Sequence, residues 1–282
     1  MATQQIVPIF SGGGTRLLAH IGILKALQEL AVSFNSLVGI SGGSIVASLH
    51  SYGMSNKALY DLAVNTDFRQ FRDFSILRLL RHGGLSSGIK FEQWMDQQLD
   101  GMTFSEAPIP LHILATDVNG GGPVIFSKDT TPNMKVSHAV RCSMSIPLLF
   151  SYTVYEQHLL VDGAILSEDA LFRDWQQDGT PNICFRLRSE AREQPFNPKR
   201  RFMLPQYIGM LIRTFMTALS REYVHAEHWH NTLVINTGSA SSVDFDMSCE
   251  DKLSLYKQGY ETAMNFLPIK LSKLNGPRQH SD

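Results

Sequence analysis

No uncharged apolar run in this 282-residue chain approaches the roughly 18 residues that a membrane-spanning helix needs. Any membrane contact is therefore expected to be peripheral. The N-terminal Met1-Ala2-Thr3-Gln4-Gln5 lacks the basic stretch and apolar core of a secretory signal. Cysteine is scarce. Cys142, Cys184 and Cys249 are odd in number and form no C-x-x-C pair, which argues against a disulfide framework or structural zinc and fits a reducing compartment. An excess of charge of one sign is also missing: 25 Lys and Arg face 26 Asp and Glu, a net charge of −1. Nucleic acid as the main partner would need a concentrated positive excess. Internal repeats and low-complexity linkers are absent too. The expectation left by these absences is a soluble, cytoplasmic protein, and its 43% apolar residues suffice for an ordinary core.

What is present is an alternation of two periods. Apolar runs suited to buried parallel strands fall at Ile6 to Phe10, Ser36 to Ile40, Leu111 to Asp117, Leu159 to Val161, Asn182 to Leu187 and Thr232 to Ile235. Helical spacing fills the gaps, as in Arg16 to Leu30 and Gly43 to Tyr52. Strands alternating with helices predict an α/β domain with a mainly parallel sheet. Asn119-Gly120-Gly121-Gly122 before Pro123 to Phe126 predicts a hairpin. Two segments read as peripheral. Phe68, Phe71, Phe74, Leu77 and Leu80 recur every third position between Arg69, Arg72, Arg78 and Arg81, and Leu204 to Leu219 is strongly amphipathic, preceded by Lys199-Arg200-Arg201. Each fits either a helix packed on the domain with its basic face in water, or a lid or interfacial helix.

Two glycine-flanked signatures carry the chemistry. Gly39-Ile40-Ser41-Gly42-Gly43 is a G-x-S-x-G between an apolar strand and a small-residue helix, the context in which a tight turn lifts a serine Oγ clear of a sheet. The bland alternative is a small-residue turn that lets a helix pack close to a strand. Ser11-Gly12-Gly13-Gly14-Thr15-Arg16 exposes several backbone N–H groups between strand and helix, suited to a phosphate or an oxyanion. No Lys-Ser/Thr follows the glycines, Leu17 occupies the last position of a G-x-G-x-x-G, and no ribose-binding acid follows a second strand, so a nucleotide fits poorly. Arg16 either adds positive charge near an oxyanion or is a salt-bridged or solvated first-turn arginine. For a base there are two possibilities. Ten histidines permit a Ser-His-Asp triad, but His225, His228 and His230 follow an amphipathic helix rather than a late strand, and His20 sits near the start of its own helix. Asp162 closes the apolar run Leu159-Leu160-Val161 and precedes Gly163-Ala164. It is either a carboxylate at the sheet edge, its pKa raised by desolvation, or a turn-forming Asp-Gly. Asp117, at a strand end, reads as structural.

The chain resembles the patatin-like phospholipases. Gly12-Gly13-Gly14-Thr15-Arg16, Gly39-Ile40-Ser41-Gly42-Gly43 and Asp162-Gly163-Ala164 match the family's three motifs in order and spacing. Supporting likeness lies in Leu114 to Asn119, Gly122 to Ser127, Ala139 to Pro147, Asp244-Phe245-Asp246 and Gln258-Gly259-Tyr260, so the resemblance spans about residues 6 to 267. It implies a three-layer α/β/α fold with a mainly parallel central sheet. It also implies a dyad with Ser41 as nucleophile and Asp162 as base, and an oxyanion hole formed by Gly12, Gly13, Gly14 and Arg16, with Gly39 and Gly43 at the elbow. No metal or cofactor is implied. Two departures stand out: Leu17 replaces a glycine of the oxyanion signature, and Ile165-Leu166-Ser167-Glu168-Asp169 replaces an Asn-Pro-containing stretch.

The expected activity is hydrolysis of fatty-acyl esters of phospholipids or lysophospholipids through an acyl-enzyme, at a membrane surface and with an unidentified activator allowed for. Met95, Met144, Leu148, Leu149 and Phe150 are candidates for an acyl cleft. The whole chain is expected to be one domain, a motif-bearing core of about 6–190 with a C-terminal helical portion of about 191–282. Two rivals remain: a Ser-His-Asp esterase for small soluble esters, and a membrane-binding protein with a vestigial site.

Overall fold

The computed structural model describes residues 4–165, 171–190, 204–221 and 226–274. Lys199-Arg200-Arg201, the stretch 166–169 and His225 lie outside them. The wholly buried β1 (Val7–Ser11) leads through a 3-10 turn (Gly14–Arg16) into α1 (Leu18–Glu29), and β2 (Leu37–Ile40) runs directly into α2 (Gly42–Ser51). Helix α3 (Asn56–Asn65) begins where Ser55 Oγ accepts from the Ala58 N–H.

The segment 68–82 does not form one helix. Asp67 caps a 3-10 turn (Phe68–Phe71), Ser75 caps a separate α4 (Ile76–His82), and left-handed Gly83 ends it. Phe68 and Phe71 are buried, whereas α4 buries no residue. Next come β3 (Gly84–Ser86), α5 (Ile89–Gln98), β4 (Leu111–Asp117), β5 (Gly122–Phe126) and α6 (Val136–Ser143). The short β6 (Leu148–Phe150), β7 (Thr153–Tyr155) and β8 (His158–Val161) precede β9 (Asn182–Arg188), α7 (Leu204–Arg221), β10 (Thr232–Asn236) and α8 (Cys249–Leu274).

The main sheet runs β10-β9-β1-β2-β4-β8-β7, with β5 paired to β4 as the expected hairpin. From β10 to β4 all neighbours are parallel, as near-continuous apolar strands require. Alternate residues serve two cores: Phe10, Leu37 and Ile113 join the helical side, while Val7, Ile9, Val38 and Leu114 meet Leu171 and Trp175 on the other. The fold is thus α/β with a mostly parallel central sheet. One strand departs from expectation. β8 is antiparallel to β4, and a tight turn through Glu156, at φ 52°, joins it to β7 as a hairpin. On the helical side α8 crosses α1 at two glycines: a Cβ on Gly22 would lie 2.1 Å from Tyr256 O, and one on Gly259 2.0 Å from Ala19 O.

Candidate active site

The sheet itself brings Ser41 and Asp162 together. β5 occupies one edge of β4 from Ile113 to Asp117, so β2 and β8 must share the other. β2 ends with Ile40 beside Leu114, and β8, running the opposite way, ends with Val161 beside Thr116. The two strands point head-on along β4, and their next residues, Ser41 and Asp162, meet in the gap. Ser41 Oγ donates to Asp162 Oδ2 at 2.7 Å.

The turn at Ser41 is tight. Its φ of 54° and ψ of −132° are unfavourable for a residue with a side chain, and such strain persists only where the surroundings fix it. Here the Ser41 N–H donates to Ser143 Oγ at 2.8 Å, and Ser143 Oγ donates on to Leu114 O at 2.6 Å. Close packing completes the constraint: a Cβ on Gly43 would lie 2.1 Å from Phe10 O, and one on Gly39 2.5 Å from Ser44 Cα.

Asp162 is fully buried. Its Oδ1 accepts from the Ala164 N–H at 2.8 Å, its own N–H donates to Ser145 O, and its carbonyl accepts from Thr116 Oγ1. Burial pushes its carboxyl up from 3.8 to about 6, opposed by the hydrogen bonds from Ser41 and Ala164. Gly163 must be glycine, since a Cβ there would lie 2.2 Å from Leu114 O.

The glycine loop faces the same turn, with one correction. The Gly12 N–H donates to Ile40 O at 3.1 Å, extending the pairing of β1 with β2, so it is not free to hold an oxyanion. The Gly12 carbonyl accepts from the Gly43 N–H and from His20 Nε2. Among the described residues the N–H groups of Gly13, Gly14 and Gly42 have no acceptor. They are close together, since a Cβ on Gly42 would lie 2.3 Å from Gly14 N and 3.0 Å from Gly13 C. His20 is buried and held near a pKa of about 4, mainly by desolvation. The neutral ring donates its Nε2 proton to Gly12 O, leaving Nδ1 buried without a partner among the described residues. Arg16 is buried behind the loop, where Nε donates to Gly13 O and Nη1 to Thr237 Oγ1 at 2.8 Å; burial lowers its pKa to about 10. It anchors the loop from behind. Leu17, right-handed at φ −54°, has a backbone that any residue can adopt.

The remaining candidates separate. Asp117 caps the hairpin, accepting from the N–H groups of Asn119, Gly120 and Leu159 and contacting His158 Nδ1 at 2.8 Å. No described imidazole contacts Ser41 Oγ, whose partners are Asp162 and Met144 Sδ at 3.8 Å. His228 instead stacks on Phe172 with ring centroids 4.2 Å apart. No cluster of three or more His, Cys, Asp or Glu residues suited to a metal exists among the described residues. Beside the turn lies an apolar cleft lined by Gly14, Leu17, Phe71, Met144, Leu149 and Phe150, among others. Its free volume of about 40 Å³ holds a few waters at most. Of the other expected lining residues, Met95 is buried in the core and Leu148 is exposed beside Gly84. Sequence reasoning missed Ser143, His20 as a loop anchor, and buried Arg141. Arg141 donates to Ser87 O, Ser145 Oγ and Ser151 O, tying together three loops, and the carbonyl of Ser145 accepts from the Asp162 N–H. The signal for Ser143 and Arg141 lay within the stretch Ala139 to Pro147.

A model of the patatin-like phospholipase family matches residues 9–171. The chain is 26% identical over 284 residues to YqhO, an uncharacterized protein of Bacillus subtilis, covering 92% of this chain and 97% of that one. It is 26% identical over 175 residues to the probable lipid hydrolase 463L of invertebrate iridescent virus 6, covering 56% and 59%. The fold is similar to that of VipD from Legionella pneumophila, with a TM-score of 0.63 over 94% of this chain and 67% of that one at 16% identity.

Proposed function

Because the chain belongs to the patatin-like phospholipase family, we propose that it hydrolyses fatty-acyl esters of phospholipids or lysophospholipids with Ser41 and Asp162 as a dyad. The observation that carries this reading is the 2.7 Å contact from Ser41 Oγ to Asp162 Oδ2, in a site closed to water. A carboxyl near 6 is ionised at neutral pH, yet basic enough to take the serine proton as Oγ attacks the acyl carbonyl. The tetrahedral oxygen is held by the N–H groups of Gly13, Gly14 and Gly42; loss of one such donor typically lowers the rate about 10²–10³-fold. The protonated Asp162 then gives its proton to the departing lysolipid oxygen, leaving the fatty acid esterified to Ser41. Deacylation runs the same path with water, as Asp162 takes the water proton and returns it to Ser41 Oγ.

The acyl chain lies in the cleft of Leu17, Met144, Leu149 and Phe150, which must widen to admit it. Widening at a lipid surface fits a protein that acts peripherally on membranes, from the cytoplasm. No helix of the described residues is long and apolar enough to cross a membrane.

The test is fatty-acid release from mixed phospholipid vesicles. Wild type releases fatty acid, and Ser41→Ala and Asp162→Asn each lose at least about 10³-fold, as members of a unit that acts together do. An active Asp162→Asn beside a dead Ser41→Ala would overturn the assignment of the base.

A further inference from the structure

Helix α4 is folded like a surface helix turned inside out. At about 100° per residue, Ile76, Leu77 and Leu80 share one stripe, and they are 40%, 57% and 76% exposed. Arg78, Arg81 and His82 fill the adjoining stripe, and Leu79 is the residue of α4 that packs against the core. Phe74 precedes the helix and Tyr152 lies against Gly83, and on α7 Tyr207 and Leu211 are exposed.

These elements surround one opening. Phe74, Ile76, Ile212 and Arg213 line a pocket of about 370 Å³, and Leu149 and Phe245 line both this pocket and the apolar cleft beside Ser41. The exposed apolar surface is therefore the outer mouth of that cleft. Its charge is one-sided. Four arginines, Arg72, Arg78, Arg81 and Arg213, stand around it against two acids, Asp73, 4.0 Å from Arg78, and Asp246. Asp73 accepts from the N–H and Oγ of Ser87, and Asp246 pairs with Arg72 at 2.5 Å. Among the described residues no acid pairs with Arg81 or Arg213. An apolar stripe beside a cationic one matches the boundary between acyl chains and lipid phosphates. It occurs here in a chain whose net charge is −1, so the cations are concentrated by position rather than by composition.

We propose that Phe74, α4 and the exposed side of α7 form a docking face for an anionic phospholipid bilayer, feeding lipid past Leu149 and Phe245 into the cleft. The feeding step rests on the hydrolase reading above; the docking step does not.

Docking is tested in a Ser41→Ala background, so that no lipid is consumed, by co-sedimentation with vesicles. One set is phosphatidylcholine alone and the other an equal mixture with phosphatidylglycerol. The mixed vesicles bind several-fold more tightly, and added salt weakens the binding. Leu77→Asp with Leu80→Asp lowers binding to both sets by about tenfold or more, and Arg78→Gln with Arg81→Gln removes the preference for the anionic set. Circular dichroism checks each fold, and the milder Leu80→Ser replaces the aspartate pair if that pair does not fold. Cleavage of a soluble short-chain ester by the same substitutions in the Ser41 protein stays unchanged. Absence of any ester cleavage would count against the hydrolase reading and leave the docking result standing. Equal vesicle binding by wild-type and substituted faces would overturn the proposal. So would a wild-type dimer in ultracentrifugation that the leucine substitutions dissociate, since the face would then be covered by a second copy.

Discussion

At the scale of single residues, the site is governed by the desolvation of one carboxylate. Asp162 is shifted upward by burial, so its ionised form is held at the expense of the fold. The sign follows directly. The folded carboxyl binds its proton more tightly than the unfolded one, so the contribution of this group to stability is fully present below about 3.8 and is lost as pH rises through about 6. The difference between those values corresponds to about 3 kcal/mol of stability lost at neutral pH. Asp162→Asn, which keeps the shape, can accept from the Ala164 N–H through its oxygen while its NH2 donates to Ser41 Oγ, and is therefore expected to unfold at a higher temperature than wild type at pH 7. The gain shrinks toward pH 4, and thermal denaturation at the two pH values reads it. Glycines around a serine after an apolar strand marked Ser41 locally, whereas the apolar strand before Asp162-Gly163 fitted a turn equally well, and the resemblance to the patatin-like phospholipases made Asp162 the expected base. Ser143 and His20 were not legible. Each acts on backbone atoms brought close only by the fold, Ser41 N and Leu114 O for one and Gly12 O for the other.

At the scale of elements, the meeting of β2 and β8 on one edge of β4 brings Ser41 and Asp162 together, and it needs β8 to run antiparallel. Composition marks Leu159 to Val161 as a buried strand but says nothing of its direction, which is set by its pairing with Thr116 and Asp117 of β4. Likewise the three-residue spacing of 68–82 conceals a break that capping by Ser75 makes. The C-terminal elements bear on the same sheet. β10 covers the edge of β9 with five residue pairs, and α8 lies on α1 at the Gly22–Gly259 crossing. We propose on this basis that the core of about 6–190 and the portion of about 191–282 form one folding unit. A fragment ending at residue 190 would expose the β9 edge and the apolar face of α1. Such a fragment is expected to aggregate or to lose cooperative unfolding, whereas a cooperative, soluble fragment would show two separable units.

At the scale of the whole molecule, the parallel sheet places the glycine loop and the Ser41 turn at the carboxyl ends of β1 and β2, where open α/β sheets offer a crevice. The cleft beside them holds only about 40 Å³, and the larger mouth beyond Phe245 opens among exposed apolar and basic side chains. On the proposed reading chemistry and access are separated: Ser41 and Asp162 on the sheet, and a mouth lined by Phe74, Ile76 and residues of α7. The central claim is that the fatty acid passes through an ester on Ser41, formed with Asp162 as base. Acid quenching of the protein during turnover of phospholipid vesicles, followed by peptide mass analysis, tests it directly. The predicted result is an acyl mass on the peptide bearing Ser41 in wild type, and none in Ser41→Ala or Asp162→Asn. An acyl group on another residue, or acylation of Asp162→Asn as fast as wild type, would contradict it.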